Sequence, residues 1–238
     1  MKIALIGYGK MGKAIEAVAA EQEHTIGLKI HSGNHQELTE SNLKDCDVAV
    51  EFSTPETAVN NILKCFDAGI PVISGTTGWL QRLGEVNEIC LAKNGTFLYA
   101  SNFSIGVNIL FAINQQLAKM MNRFPGYKPS IEEIHHTEKK DSPSGTAITL
   151  AEQIIQHNSN VKSWSLNEPR DENQIIISSR RTDPAAGTHY VKYHSTIDDI
   201  EIIHTAHSRA GFTSGAIAAA VFVQDKKGLF TMKDVLGF

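Results

Sequence analysis

The chain has 238 residues, room for one large domain or two small ones, and its 42% hydrophobic and 20% charged content is ordinary for a globular protein. A net charge of −4 without a basic run argues against a nucleic-acid binder, and no apolar segment reaches the ~18 residues that span a bilayer. The chain opens directly on a strand, with no signal or transit pattern, and Cys46, Cys65 and Cys90 lack C-x-x-C spacing, which fits free buried thiols in a reducing cytoplasm.

Lys2 to Ile6 is a nearly continuous apolar run, the pattern of a parallel strand covered on both faces. Gly7-Tyr8-Gly9-Lys10-Met11-Gly12 follows, and Met11, Ala14, Ile15, Val18 and Ala19 recur at helical spacing. This is G-x-G-x-x-G after a strand and at the start of a helix, where the glycines permit a tight turn and a close approach to pyrophosphate. Thr25 to Ile30 is the second strand. No acid ends it, although an Asp or Glu there usually holds the ribose of NAD. Lys29, His31 and His35 would tolerate a 2′-phosphate, so either NADPH or NADH fits the pattern. Gly33 to Leu43 is polar, without clear periodicity, and reads as a loop.

Val48 to Phe52 is the third strand, and Ser53-Thr54-Pro55-Glu56 opens a helix that Gly69 ends. Pro71 to Ser74 reads as a strand, Leu80 to about Lys93 as a helix, and Thr96 to Ala100 as another strand. Strands alternating with helices imply an α/β domain with a Rossmann-like parallel sheet, whose ligands sit beyond the carboxyl ends of the strands. Three of those ends are polar or glycine-rich: Phe52-Ser53-Thr54, Gly75-Thr76-Thr77-Gly78 and Ala100-Ser101-Asn102-Phe103. Such residues also favour plain turns; their location supports binding equally well.

The rhythm then changes. A long helix is expected from Ser104 to about Arg123, and a strand from Ser130 to His136. After the turn Thr137 to Pro143, Ser144-Gly145-Thr146 opens a helix with Ala147, Ile148, Leu150, Ala151, Ile154 and Ile155 on its buried face. Its N-terminus, with the Gly145 and Thr146 amides, suits a carboxylate. His135 and Lys139, immediately before it, are groups that exchange protons or attract an acidic substrate. Adjacent histidines on a strand face opposite ways, so His135 and His136 make a poor metal pair, and no metal site is expected.

Gln174 to Arg180, His189 to Ser195 and Glu201 to Ala206 read as consecutive strands of an open mixed sheet, mostly antiparallel. One face of that sheet needs cover, which a second subunit would supply. Ser214 to about Lys226 is a small-residue helix returning to the first domain. The expected organisation is a dinucleotide-binding domain of residues 1–104 and 209–238, with a smaller α+β domain of residues 105–208 for substrate binding and oligomerisation. Arg209 lies at the junction; a bidentate carboxylate contact and an interdomain ion pair are equally good readings.

The stretch Glu133-Ile134-His135-His136-x-x-Lys139-x-Asp141-x-Pro143-Ser144-Gly145-Thr146-Ala147 is very close to the signature of the 4-hydroxy-tetrahydrodipicolinate reductase (dihydrodipicolinate reductase) family, which the chain resembles over essentially its full length. Supporting matches include Gly7 to Gly12, Phe52-Ser53-x-Pro55-Glu56, Gly75 to Gly78, Asn102-Phe103-Ser104 and the ending from Met232 to Gly237. The resemblance implies that His135 is the proton donor and acceptor, Lys139 a second proton donor, and His136, Gly145 and Thr146 substrate contacts. It implies cofactor contacts at Gly7, Tyr8, Gly9, Lys10, Met11, Gly12, Gly75, Thr76, Thr77, Ala100, Ser101, Asn102 and Phe103. It also implies a cytoplasmic homotetramer that reduces a small cyclic dicarboxylate with NADPH or NADH in diaminopimelate and lysine biosynthesis, its two domains closing over the substrate. Two departures stand out: the glycine loop is one residue shorter than in some members, and the acid–base pair after the second strand is replaced around His31-Ser32.

The alternatives are another two-domain dehydrogenase, against which the His-His-x-x-Lys segment argues, and a redox-sensing NAD(P)-binding regulator without turnover. A regulator needs no paired imidazole and amine beside an anion site, and usually carries a nucleic-acid-binding element.

Overall fold

The computed structural model describes residues 1–168, 171, 173–208 and 210–238; Arg209 lies outside the described residues. The chain forms two compact units, residues 1–105 with 210–238, and residues 106–209.

The first unit runs β1 (Lys2–Ile6), α1 (Lys10–Glu21), β2 (Thr25–Ile30), α2 (Glu40–Lys44), β3 (Val48–Glu51), α3 (Pro55–Ala68), β4 (Val72–Ser74), α4 (Leu83–Ala92) and β5 (Thr96–Tyr99). The second runs α5 (Ile105–Met121), β6 (Lys128–His135), α6 (Gly145–His157), β7 (Ser163–Leu166), β8 (Gln174–Arg181), β9 (Gly187–His194) and β10 (Asp199–Ala206). α7 (Ala210–Val223), β11 (Gly228–Phe230) and α8 (Met232–Leu236) rejoin the first.

The first sheet is parallel throughout, in the order β11-β5-β4-β3-β1-β2. Alternate residues feed two apolar layers, which is why β1 reads as a continuous apolar run. Ala4 and Ile6 join Ile62, Phe66 and Phe97 on one face, while Ile3 and Leu5 join Ala216, Ile217 and Ala220 of α7 on the other. Pro55 sits in the first turn of α3, and Gly69 ends that helix at φ 76°. The stretch expected to be a loop, Gly33 to Leu43, holds a 3₁₀ turn at His35–Glu37 and the start of α2. The Thr39 side chain caps α2 by accepting from the Asn42 N–H at 3.2 Å. Leu80 to Arg82, expected to belong to one helix, is a separate 3₁₀ turn before α4.

The second sheet has the order β10-β9-β6-β8-β7, with β6 central. It is mixed, as expected, though its antiparallel pairs do not predominate: β6 runs antiparallel to β9 and parallel to β8, because α6 carries the chain back between β6 and the later strands. β7 runs parallel to β8, and β10 antiparallel to β9. α5 and α6 cover one face, where Leu110, Met121, Leu150 and Ile154 pack with Ile131, Ile177, Val191 and Tyr193. Buried Asn114 donates to Leu150 O at 3.1 Å and Gln153 Oε1 at 2.9 Å, tying the two helices together.

Candidate active site

The end of β6 is built by strand alternation. Ile131, Glu133 and His135 are buried, while Glu132, Ile134 and His136 are half-buried. His135 therefore enters the unit's interior beside Glu133, and His136 follows the strand's last residue. The buried Glu133 carboxylate accepts from the Ser144 N–H at 3.1 Å to each oxygen, from Ser179 Oγ at 2.6 Å and from Arg181 Nη2 at 3.2 Å. Its Oε2 faces His135 Nδ1 at 3.5 Å and His189 Nε2 at 3.9 Å. The His135 and His189 rings meet edge to face, with centroids 5.0 Å apart. A Cβ on Gly187 would stand 3.1 Å from His135 Nε2, so glycine leaves that nitrogen uncovered on this side.

The turn between β6 and α6 is fastened from the end of β8 and from the loop that follows it. Arg181 donates to Lys139 O at 3.4 Å and Asp141 O at 2.6 Å. The Asp183 carboxylate accepts from the Thr137 N–H at 3.2 Å and from Thr137 Oγ1 at 2.6 Å. Lys139 Nζ lies 2.8 Å from both Asp141 oxygens. Ser144 caps α6, its Oγ accepting from the Ala147 N–H at 3.2 Å, and nothing stands within 4 Å of where a Cβ on Gly145 would be. The helix start thus has open space beside Gly145 and the favourable end of its dipole for an anion.

Burial pushes the His135 imidazole below its ordinary range; the Glu133 charge opposes this, and the Lys139 and Arg181 cations add to it. Burial would raise Glu133, but hydrogen bonds from Ser144 and Ser179 overcome it and hold the carboxyl low. His189 is pushed down to about 3, mainly by burial and then by the neighbouring His135. Glu133, His135 and His189 each bring one donor atom within 4.8 Å of the others, close enough for a metal ion. Both Glu133 oxygens are already engaged, however, and Arg181 supplies the positive charge that a metal would bring.

In the first unit, the expected cofactor residues gather at the carboxyl edge of the sheet. Here β1 parts from β2 on one side and β3 on the other, the switch point at which such sheets bind ligands. Gly7 has φ +99°, and its N–H and that of Tyr8 donate to Ile30 O at 2.9 and 2.8 Å. A Cβ on Gly7 would lie 2.0 Å from Phe52 O, and one on Gly12 would lie 2.6 Å from Gly7 O. Gly9 has nothing within 4 Å of a Cβ position, and no side chain caps α1, which begins at Lys10 with no acid in its first turn; Met11 follows in that turn. This open cradle fits a pyrophosphate. Buried Glu51, ending β3, accepts from the Ser53 N–H at 2.9 Å, Ser74 Oγ at 2.6 Å and Thr76 Oγ1 at 2.9 Å. It thereby fixes the Ser53 and Gly75-Thr76-Thr77 loops together. A Cβ on Gly75 would stand 2.1 Å from the Phe52 ring, which packs on Phe103 at 5.5 Å. Ala100 N–H donates to Ser74 O at 3.1 Å, and past exposed Ser101 the Asn102 Oδ1 accepts from Ser104 N–H at 2.8 Å. Of the three basic residues near the end of β2, Lys29 pairs with Glu16 at 2.6 Å and His35 bonds Asn61 at 3.0 Å, while His31 accepts from the Gly33 N–H at 3.0 Å.

Two family models match the chain end to end: "Dihydrodipicolinate reductase, N-terminus" over residues 1–103 and "Dihydrodipicolinate reductase, C-terminus" over residues 106–236. The chain belongs to the dihydrodipicolinate reductase family. It is 51% identical over 238 residues to the 4-hydroxy-tetrahydrodipicolinate reductase of Christiangramia forsetii, covering 99% of this chain and 98% of the relative. Its identity to the Zymomonas mobilis 4-hydroxy-tetrahydrodipicolinate reductase is 35% over 250 residues, covering 100% and 97%. The solved dipicolinate-bound dihydrodipicolinate reductase from Paenisporosarcina sp. TG-14 shares the fold at a TM-score of 0.79 and 22% identity, covering 97% of each chain.

Within this reductase family member, Glu133, Ser179, Arg181, Asp183 and His189 are the site residues that sequence reasoning missed. Glu133 carried a signal: it holds an inward position between Ile131 and His135, where strand alternation places an apolar residue. Arg181 and His189 carried none, since only the pairing of β6 with β8 and β9 brings them to it.

Proposed function

We propose that His135, Lys139 and the N-terminus of α6 carry the proton chemistry and substrate binding of this reductase. The chain's reaction is the NAD(P)H-dependent reduction of 4-hydroxy-tetrahydrodipicolinate to tetrahydrodipicolinate in diaminopimelate and lysine biosynthesis. The substrate is a cyclic dicarboxylate that loses water to give a conjugated imine. The reduced nicotinamide supplies the hydride when bound. Hydride addition leaves an electron-rich, enamine-like centre that an acid must protonate. His135 suits that task because its Nε2 stands beside Gly187, while its Nδ1 faces Glu133. Lys139 offsets the dianion's charge, and the Gly145 and Thr146 backbone with His136 receives the carboxylates. The observation that carries this reading is the His135–Glu133 pair set directly against the cap of α6.

Gly7 to Gly12, Gly75 to Thr77 and Ala100 to Phe103 hold the dinucleotide in this reading, and the first unit serves as the dinucleotide-binding domain. The second unit serves substrate binding and oligomerisation. Without an acid at the end of β2, both NADPH and NADH are accepted. The assembly is a cytoplasmic homotetramer. Three buried, unpaired cysteines and the exposed Ile197, Ile200 and Ile203 support this reading. Among the described residues, no helix is long and apolar enough to cross a membrane.

The test is oxidation of NADPH and of NADH, followed by absorbance, with substrate made in situ from pyruvate and aspartate semialdehyde by the preceding synthase. Substrate-dependent oxidation is expected, and the two kcat/KM values give the cofactor preference. Folded protein that binds NADPH yet oxidises neither cofactor would point to a regulator. His135→Gln is expected to lower kcat by ~10²-fold or more with NADPH binding little changed; an unaltered kcat would remove His135 from the role.

A further inference from the structure

We propose that Glu133 is a positioning residue that serves both halves of the substrate site at once, orienting the His135 imidazole and seating the N-terminus of α6. The inference rests on the reading of His135 as the acid.

The geometry is specific. Glu133 and His135 are alternate residues of the central strand, so their side chains leave the same face. Glu133 Oε2 is 3.5 Å from His135 Nδ1, and this nitrogen is buried without a hydrogen-bond partner among the described residues. An imidazole with a carboxylate on its Nδ1 side turns its Nε2 outward, here toward the space that Gly187 leaves. The same carboxylate receives the Ser144 N–H through both oxygens at 3.1 Å, and Ser144 caps α6. A movement of Glu133 would therefore displace the proton donor and the anion-binding helix start together.

Glu133 itself is held from β8, by Ser179 at 2.6 Å and Arg181 at 3.2 Å. Against burial, the hydrogen bonds from Ser144 and Ser179 keep it ionised although it is wholly buried. The other groups facing His135 are His189 from β9, Arg181 from β8, and Lys139 and Asp141 from the turn; His204 of β10 lies beyond His189. All of the cations in this set disfavour a charged imidazole, and Glu133 is the nearest group that favours it. Its removal leaves Asp141, the weaker of the two, alone to oppose burial and the cations.

Two readouts test this. The first is the pH profile of kcat, whose descending limb follows loss of the proton from His135. The second is the His135 ring titration followed by NMR in protein without substrate, which does not depend on turnover. In Glu133→Gln, both are expected to move to lower pH by about 1–3 units, as loss of an opposite charge at this range does. In Glu133→Asp, which keeps the charge on a shorter arm, the limb is expected to stay nearer the wild-type position while kcat falls. A Gln variant that is folded and slow but has an unmoved limb and an unmoved ring titration would overturn the proposal, leaving Glu133 a packing residue. If the Gln variant does not fold, Glu133→Asp decides: its shorter arm draws the carboxylate away from His135 Nδ1, so the ring titration should move part of the way to lower pH, and an unmoved titration overturns the proposal. A wild-type protein without turnover would defeat the reductase reading, while the ring titrations would still decide the coupling.

Discussion

At the residue scale, the glycines of the first turn separate two requirements that the motif merges. Gly7 is demanded by the fold: its φ is +99°, and a Cβ would stand 2.0 Å from Phe52 O. Gly9 has a φ of −95°, outside the left-handed region, and empty space around it. Gly7→Ala is thus expected to cost ~2 kcal/mol or more in unfolding stability, because neither the backbone angle nor the Phe52 carbonyl can yield freely. Gly9→Ala is expected to stay within about 1 kcal/mol of wild type while losing dinucleotide affinity at least ~10-fold, as a methyl group enters the pyrophosphate's approach. Denaturant titration and NADPH binding check the pair; equal losses of stability would refute the distinction. His135, Lys139 and the cap of α6 were legible because the turn joins them within a dozen positions. Arg181 and His189 were not, because their place depends on strand register far along the chain.

Among the elements, α7 shows how a small residue sets a packing distance. Gly215 lies so near the loop after β5 that a Cβ would be 1.8 Å from Phe103 O. Ala216, Ile217, Ala219 and Ala220 then cover the sheet. Gly215→Ala is expected to push α7 outward and cost at least ~1–3 kcal/mol. Denaturation curves with an unchanged midpoint would contradict this. The long elements were legible because α1, α3, α5 and α6 run for three turns or more and show a clear apolar stripe. Short buried strands such as β3, β4 and β5 declared themselves by their apolar runs, but other short elements did not. α2 has five residues and β7 four, too few for a period to declare itself, and each exists because neighbouring structure pairs or caps it. A mixed sheet was legible, but not that β8 is the strand running parallel beside β6: consecutive strands with turn-rich links suggest hairpins, while the return through α6 decides otherwise.

For the whole molecule, acid sensitivity follows from the buried His189. Its imidazole titrates near 3 in the folded chain and near 6.5 when exposed, so the unfolded state binds the extra proton between those values. Stability is therefore expected to be full above about pH 6.5 and to fall as pH drops toward 3, by up to ~1.4 kcal/mol per unit from this group. Thermal unfolding across that range checks the slope, and His189→Asn should flatten it; an identical slope in the variant would assign the sensitivity elsewhere. Light scattering is expected to report four subunits, and Ile203→Glu on the exposed side of β10 to reduce that number.

The first unit is assembled from both ends of the chain, with the second inserted between them. During synthesis the six-stranded sheet therefore waits. Its Ile3, Leu5, Val50 and Ile73 layer has no helix α7 to lie against until the residues after 209 leave the ribosome, whereas residues 106–209 are contiguous and complete by then. The inserted unit is thus free to fold first, and the nascent nucleotide-binding sheet is the part that remains sticky and in need of chaperone cover.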